Sequence, residues 1–459
     1  MIFIQICKLL ISLLLPTLAG NVVLDNFSYF TTKTIIQQWL TAFSLGIVVF
    51  TSIWFFMGIC GFPIDLFSGT LICLFIWSFA KITKKILSKK NATISVKKRE
   101  KYAYIFILII TLIYFIFLVI FSLSKPVPSA PGIGVWGYKA KVLFHEESIT
   151  SSLFDSKVPS YTHPSYPFGY PLLLAWNYLW MGKCNDHLIK LIPVIFTIAI
   201  FLQFYLFCRE QKVSSSLSLW FPLMFCGSYI YVFTAGRLYA EPFFIFCVLQ
   251  GTVFILEYLE DADPKKNILL FLGVMLLGAS AWIKNEGLVF FCISIFYFFL
   301  MGKKIENKRR FYFSLVFIVL FTSLLFVFPW LIFRFLQKIR IYDFDKTLFL
   351  AKESFENIDV LYECLNTVFK NMFLKIKGNN AVWYFLLFSF LFFKKQSSGS
   401  KWLLVTLLSY CFCLTFIYIF SIRSLDWHLR AMQRTFLLPE ILAWLYILKK
   451  MPKVIPDRT

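Results

Sequence analysis

KKILSKKNATISVKKREK (Lys84–Lys101) runs directly into YAYIFILIITLIYFIFLVIFSLS (Tyr102–Ser124), and on this junction the fold turns. The first piece carries eight basic residues and a single acid; the second has 23 residues and no formal charge. About 20 apolar residues in a helix cross the hydrocarbon core of a bilayer. A basic flank on a short connection marks its cytoplasmic side. The same alternation recurs outward along the chain, with CREQK (Cys208–Lys212), KKIENKRR (Lys303–Arg310), KKQSSGSK (Lys394–Lys401) and KKMPK (from Lys449) each placed beside apolar runs.

Counting such runs gives about thirteen crossings: roughly 2–19, 38–60, 63–82, 102–124, 187–207, 215–234, 241–258, 268–283, 287–301, 311–334, 380–393, 402–420 and 434–448. The expected class is therefore an all-α, polytopic transmembrane bundle with a large first external loop. PFGYPLLLAWNYLWM (Pro167–Met181) is apolar enough to span, but two prolines and a glycine interrupt its start. If it crossed as well, the later basic connections would fall on the wrong side. It is read as an interfacial or re-entrant helix, which the bilayer tolerates where protein surrounds it. Residues 1–20 read either as a signal peptide or as a first transmembrane helix; Lys8 within the apolar run favours a retained helix.

Composition agrees. The 459 residues are 59% apolar, 20% aromatic and 15% charged, with a mean hydropathy of +0.74. This excludes an ordinary soluble domain. The net charge of +22 lies mostly in short loops beside apolar runs, where it orients helices and meets anionic lipid headgroups; it does not indicate nucleic acid. Nine of eleven cysteines fall in or beside apolar segments, and no zinc-type spacing is present. The chain is expected to divide into an N-terminal transmembrane module with its basic cytoplasmic loop (1–101), whose first 82 residues look like an add-on, and a main region (102–459) with external loops 125–166 and 337–379. The second loop contains an amphipathic helical pattern, LFLAKESFENIDVLYECLNTVFKNMFLKIK.

Polar motifs gather on the side opposite the basic loops. The first loop offers Glu146, Glu147 and Asp155 as candidate bases and Lys139 as a cation, before a His163-Pro-Ser-Tyr166-Pro turn. A carboxylate here could take the proton of an acceptor hydroxyl while cations meet a phosphate; the plainer alternative is a solvated loop. Arg237 and Glu241 in GRLYAEP lie where two apolar runs meet, either as a site or as a helix-spaced pair that tethers the turn. Lys284 and Glu286 in KNEG interrupt two apolar runs with no room for a loop, so they enter a polar cavity or snorkel. Asp426, His428 and Arg434 form the densest polar group near the C-terminus, as phosphate ligands or as an anchored helix end. No phosphate-binding glycine loop, nucleophile elbow or zinc-protease motif occurs.

These stretches resemble the GT-C superfamily of polytopic glycosyltransferases, in particular bacterial relatives of dolichyl-phosphate-mannose protein mannosyltransferase and of the aminoarabinose transferase that modifies lipid A. Trp136-Gly-Tyr-Lys-Ala-Lys141 is similar to the family's W-x-x-K-A-K segment, and His163-Pro-Ser-Tyr-Pro167 to its H-P-x-Y-P run. Tyr239-Ala-Glu-Pro242 matches its Y-A-E/D-x-P turn, and Lys284-Asn-Glu-Gly287 its K-N-E-G step. Asp426-x-His428 with Arg434 resembles its H-L-x-x-S-x-x-R element, with Met432 where Ser is usual. The resemblance covers about 102–448. It implies an integral multi-pass protein of the bacterial inner (plasma) membrane that moves a sugar, with inversion, from a polyprenyl-phosphate donor to a lipid, glycan or protein acceptor on the extracytoplasmic face.

The family also places an essential Asp five or six residues before the Trp matching Trp136. Here those positions are Ala130 and Pro131. Either Glu146, Glu147 or Asp155 replaces it, or the chemistry is altered or lost. A divalent ion is compatible with the reaction but has no ligand signature. The rival readings are a lipid-linked-sugar flippase or other transporter, and a catalytically inactive scaffold.

Overall fold

The computed structural model describes residues 2–27, 33–82, 101–128, 131–154, 162–260, 267–302, 308–339, 358–374, 381–392, 397–420 and 431–451. Among the described residues every regular element is helical. In chain order these are α1 (Ile2–Leu24), α2 (Ile35–Ile59), α3 (Leu66–Ile82), α4 (Lys101–Leu123), α5 (Tyr138–Glu146), α6 (Gly169–Met181) and α7 (Leu191–Glu210). Next come α8 (Ser215–Cys226), α9 (Tyr229–Ala235), α10 (Glu241–Glu260), α11 (Asn267–Ile283), α12 (Asn285–Met301), α13 (Lys308–Phe326) and α14 (Phe328–Leu336). The last are α15 (Ile358–Phe369), α16 (Ala381–Phe392), α17 (Ser398–Phe420) and α18 (Leu437–Lys450).

Seven of these helices are long and apolar enough to cross a bilayer, or eight if α8 and α9, bent by 71° at Gly227–Ser228, make one span. Four shorter apolar helices, at α3, α11, α12 and α16, pack among them. The chain is thus a helical integral membrane protein. Its outer faces are strongly apolar: in α4, Phe106, Ile113, Ile116 and Ile120 are all at least 60% exposed, as lipid-facing side chains should be. The expected single run at 311–334 is broken at Val327, just before Pro329, into α13 and α14.

Residues 1–82 are not set apart in space. Glycine lets α1 and α2 touch backbone to backbone, since a Cβ on Gly46 would sit 2.0 Å from the Pro16 carbonyl oxygen. Polar side chains then fasten this pair to the rest of the bundle: Trp176 Nε1 donates to Ser12 O (2.7 Å), Trp282 Nε1 donates to Thr51 Oγ1 (3.1 Å), and Ser44 donates to Gln250 of α10. In a low-dielectric interior such bonds specify which helix faces meet.

α6 starts beside the end of α11, where Gly169 abuts Trp282. The chain after it returns to the end of α4, where His187 Nδ1 lies 2.9 Å from Leu123 O and Lys190 caps the Ser122 carbonyl. Thirteen residues reach only about 20 Å, and nearly every side chain of α6 is buried. It is a short helix walled by protein. The expected amphipathic helix of the second long loop is α15, which continues as a wider turn over Lys370–Leu374.

Candidate functional site

Local chain geometry brings four charged side chains together at one end of the bundle. Leu238, in a left-handed conformation, turns the chain before α10, and Pro242 occupies the first turn, where its missing N–H costs nothing. Glu241 thereby projects from the first residue of α10. Lys284 is the lone residue between α11 and α12, with extended backbone and its N–H donated to Ser280 O. So tight a hairpin demands glycine at 287, where a Cβ would lie 2.1 Å from the Ser280 carbonyl oxygen. Glu286 stands in the first turn of α12, favoured there by the helix dipole. Residues 431–435, which are helical, carry Arg434 into the same spot from the far end of the sequence.

The resulting contacts are short. Lys284 Nζ lies 3.1 Å from Glu241 Oε1 and 3.1 Å from Glu286 Oε1, and Arg434 Nε lies 2.8 Å from Glu241 Oε1. The guanidinium also sits 4.6 Å above the Tyr239 ring, a cation–π contact. Burial by itself would lower the Lys284 pKa, but the carboxylates of Glu241 and Glu286 outweigh it and hold the ammonium above its ordinary value. For Arg434 too, Glu241 overcomes the cost of burial and raises the pKa. Glu241 Oε2 and Glu286 Oε2 are both buried and have no hydrogen-bond partner among the described residues. Between them is a cavity of about 10 Å³, lined also by Phe244 and Tyr410 and at the lower limit for a single water.

The first long loop folds over this cluster. Asn285 Nδ2 donates to Ser165 O at 3.4 Å, joining KNEG to the His163–Pro167 turn. Trp136 packs edge-on to Tyr166 and Tyr170, at 5.4 and 5.7 Å between ring centroids. Lys139 is buried, and its ammonium donates to His163 O (2.7 Å) and Tyr166 O (3.1 Å). Burial pushes it down to about 7. These two bonds clamp the turn.

The other expected residues lie elsewhere. Arg237 does not pair with Glu241. Its guanidinium stacks 3.2 Å from the Phe233 ring, one helical turn back, and its buried Nε has no hydrogen-bond partner among the described residues. Glu146 ends α5 and closes its own loop, accepting from Ser152 N (2.8 Å) and Ser152 Oγ. Glu147, left-handed and exposed, accepts from Ile64 N through its backbone oxygen (2.7 Å). Neither lines the cavity. Asp155, Asp426 and His428 lie outside the described residues.

Three participants were not visible in the sequence. Tyr410, from the middle of α17, lines the cavity, and Tyr170 holds a buried hydroxyl without a partner among the described residues, within electrostatic reach of Glu241. A Tyr in an apolar helix looks like core, and nothing in its spacing says otherwise. Asn371, in the turn after α15, accepts from Gln433 Nε2 (3.3 Å) and donates to Met432 S (3.2 Å), steadying the segment that bears Arg434. No group of three or more metal-binding side chains occurs among the described residues. Comparison with protein-family models, with curated proteins and with solved structures finds no match.

Proposed function

We propose that this protein is a membrane glycosyltransferase of GT-C type, moving a sugar from a polyprenyl-phosphate donor to an acceptor at the extracytoplasmic face of a bacterial inner membrane. One observation supports the reading above all. Trp136, the His163–Pro167 turn, Glu241, Lys284 and Arg434, hundreds of residues apart in part, converge at one end of the bundle around two buried carboxylate oxygens that lack partners among the described residues. Of the basic connections, Cys208–Lys212 lies at the other end, where Lys33 of the α2 start meets the last turns of α7 and α10. With α8 and α9 taken as one span, the eight span-length helices, the shorter α3, α11, α12 and α16, and α18 fit thirteen crossings and an external site.

The reaction is a single displacement. The acceptor oxygen attacks the anomeric carbon as the bond from that carbon to the phosphate oxygen breaks, and the prenyl phosphate leaves with the electron pair. The acceptor proton passes to a carboxylate. Glu241 Oε1 is engaged by two cations and Glu286 Oε1 by one, so Glu286, through Oε2, is the better placed base among the described residues. Asp155, the next residue in sequence after the 3-10 turn at Ser152–Phe154, is the loop carboxylate that competes for this role. Lys284 and Arg434 would hold the departing phosphate, where fixed charge in a dry site contributes most. Any divalent ion would have to share these same few carboxylates.

Transfer of labelled sugar from a polyprenyl-phosphate donor by the purified protein tests the proposal, with Glu286→Gln, Asp155→Ala, Glu146→Ala and Glu147→Ala made singly. Losing the base lowers turnover by about 10²- to 10⁴-fold. The expected loss is in Glu286→Gln, with near-normal rates in Glu146→Ala and Glu147→Ala. An inactive scaffold is the second reading, favoured by Pro131 at the position of the family's acid, and it requires donor binding without turnover. A flippase would move donor across the bilayer without transfer. It needs ionisable groups along a path through the bilayer, whereas the charged clusters around Glu241 and around Lys33 lie at the ends of the bundle.

A further inference from the structure

The cluster as it stands is electrically closed: Glu241 and Glu286 balance Lys284 and Arg434, and the space between them admits no more than a water. A phosphate cannot be gripped by cations already committed to carboxylates. One of the four must let go.

The two cations on Glu241 differ in how firmly they are held. Lys284 is 4% exposed at its side chain, hydrogen-bonded to Glu241 and also in contact with Glu286. Arg434 is 24% exposed and approaches Glu241 most closely through Nε, with its N–H out of line for a hydrogen bond despite the 2.8 Å separation. Its backbone belongs to a short segment, 431–435, held from outside by Asn371 through Gln433 and Met432. A guanidinium offers a two-point fork to a phosphate, which the off-axis Nε contact to Glu241 leaves unused.

We infer that Arg434 is a latch: Glu241 holds it over the empty site, and an anionic lipid headgroup draws it away, opening the cavity as the phosphate is captured. The inference rests on the donor proposed above and adds how that donor is admitted. When Arg434 leaves, Lys284 still neutralises Glu241, so no buried carboxylate is left unpaired. The site would therefore open for a phosphate and stay shut to neutral lipid.

A latch makes an unusual prediction, that removing a wall of the site tightens binding. Farnesyl phosphate binding to the full-length protein in detergent, with farnesol as the uncharged control, measures it. Glu241→Gln frees Arg434 and should bind the phosphate about tenfold more tightly than wild type, the change expected if the latched state outnumbers the open one by about ten to one. Arg434→Ala should lose most of the affinity, and farnesol should bind weakly to every form. Should Glu241→Gln fail to fold, Gln433→Ala loosens the same segment without touching a charge, and about threefold tighter binding is expected from the loss of one hydrogen bond. If wild type binds farnesyl phosphate but neither variant binds it more tightly, the latch is wrong and the donor reading stands. If no form prefers farnesyl phosphate to farnesol, the donor reading fails and the latch with it.

Discussion

Two clusters of mixed charge close the bundle at opposite ends, and they differ in whether they bury carboxylate oxygens without a hydrogen-bond partner among the described residues. At the basic end, Lys33 Nζ reaches Glu210 Oε1 (3.2 Å) and both oxygens of Glu257 (3.0 and 3.1 Å), while Gln37 Nε2 donates to Glu210 Oε1 (2.6 Å). These side chains are partly in solvent, and the group ties the start of α2 to the ends of α7 and α10. At the other end, Glu241, Glu286, Lys284 and Arg434 are more deeply buried, keep two carboxylate oxygens without partners and border a cavity. Buried polar atoms are almost always paired, so such a deficit is costly and needs a reason. The comparison separates a tether from a site: a tether leaves its spare hydrogen-bonding capacity to solvent, and a site keeps some buried.

The sharpest way to break this comparison is to neutralise one acid at each end. Glu286→Gln should lower sugar transfer by about 10²- to 10⁴-fold, whereas Glu210→Gln should leave the rate within about twofold; equal effects in a transfer assay would erase the distinction. Stability sharpens it next. Lys284→Ala removes one partner of a buried pair and should cost about 3–5 kcal/mol by denaturant unfolding, while Lys33→Ala, at a partly exposed cluster, should cost about 1 kcal/mol or less.

A smaller effect concerns pH. Burial lowers Lys139 from its ordinary 10.5 to about 7, so in the folded chain it sheds its proton earlier than in the unfolded chain. Between pH 7 and about 10 the unfolded state binds more protons, and stability should rise with pH. Lys139→Met should flatten that rise, which thermal unfolding across the range would detect; an unchanged slope would mean that Lys139 is not the buried cation responsible. Smallest is Glu146→Ala, which loses the bonds to Ser152 in a half-exposed loop and should cost about 1 kcal/mol with transfer intact.

Membrane class was legible because it depends on an additive quantity, apolar run length. That Pro167–Met181 yields only a short helix was readable from the prolines and glycine near its start. The site was partly legible. Glu241 and Lys284 stood out because a charge between two apolar runs needs a partner, and they partner each other. Which partner each charge finds is not local information: Arg237, four residues before Glu241, stacks on Phe233, and the cation that reaches Glu241 comes from position 434. Tyr170, Tyr410 and Asn371 stayed hidden for the same reason, since only the packing of distant helices gives them a task.

The account rests most directly on transfer of radiolabelled sugar from a polyprenyl-phosphate donor by protein reconstituted in lipid vesicles, comparing wild type, Glu286→Gln and Glu210→Gln. It requires label to move from donor to acceptor with wild type and Glu210→Gln and to remain on the donor with Glu286→Gln. Label that stays on the donor with wild type, or moves equally well with Glu286→Gln, contradicts it.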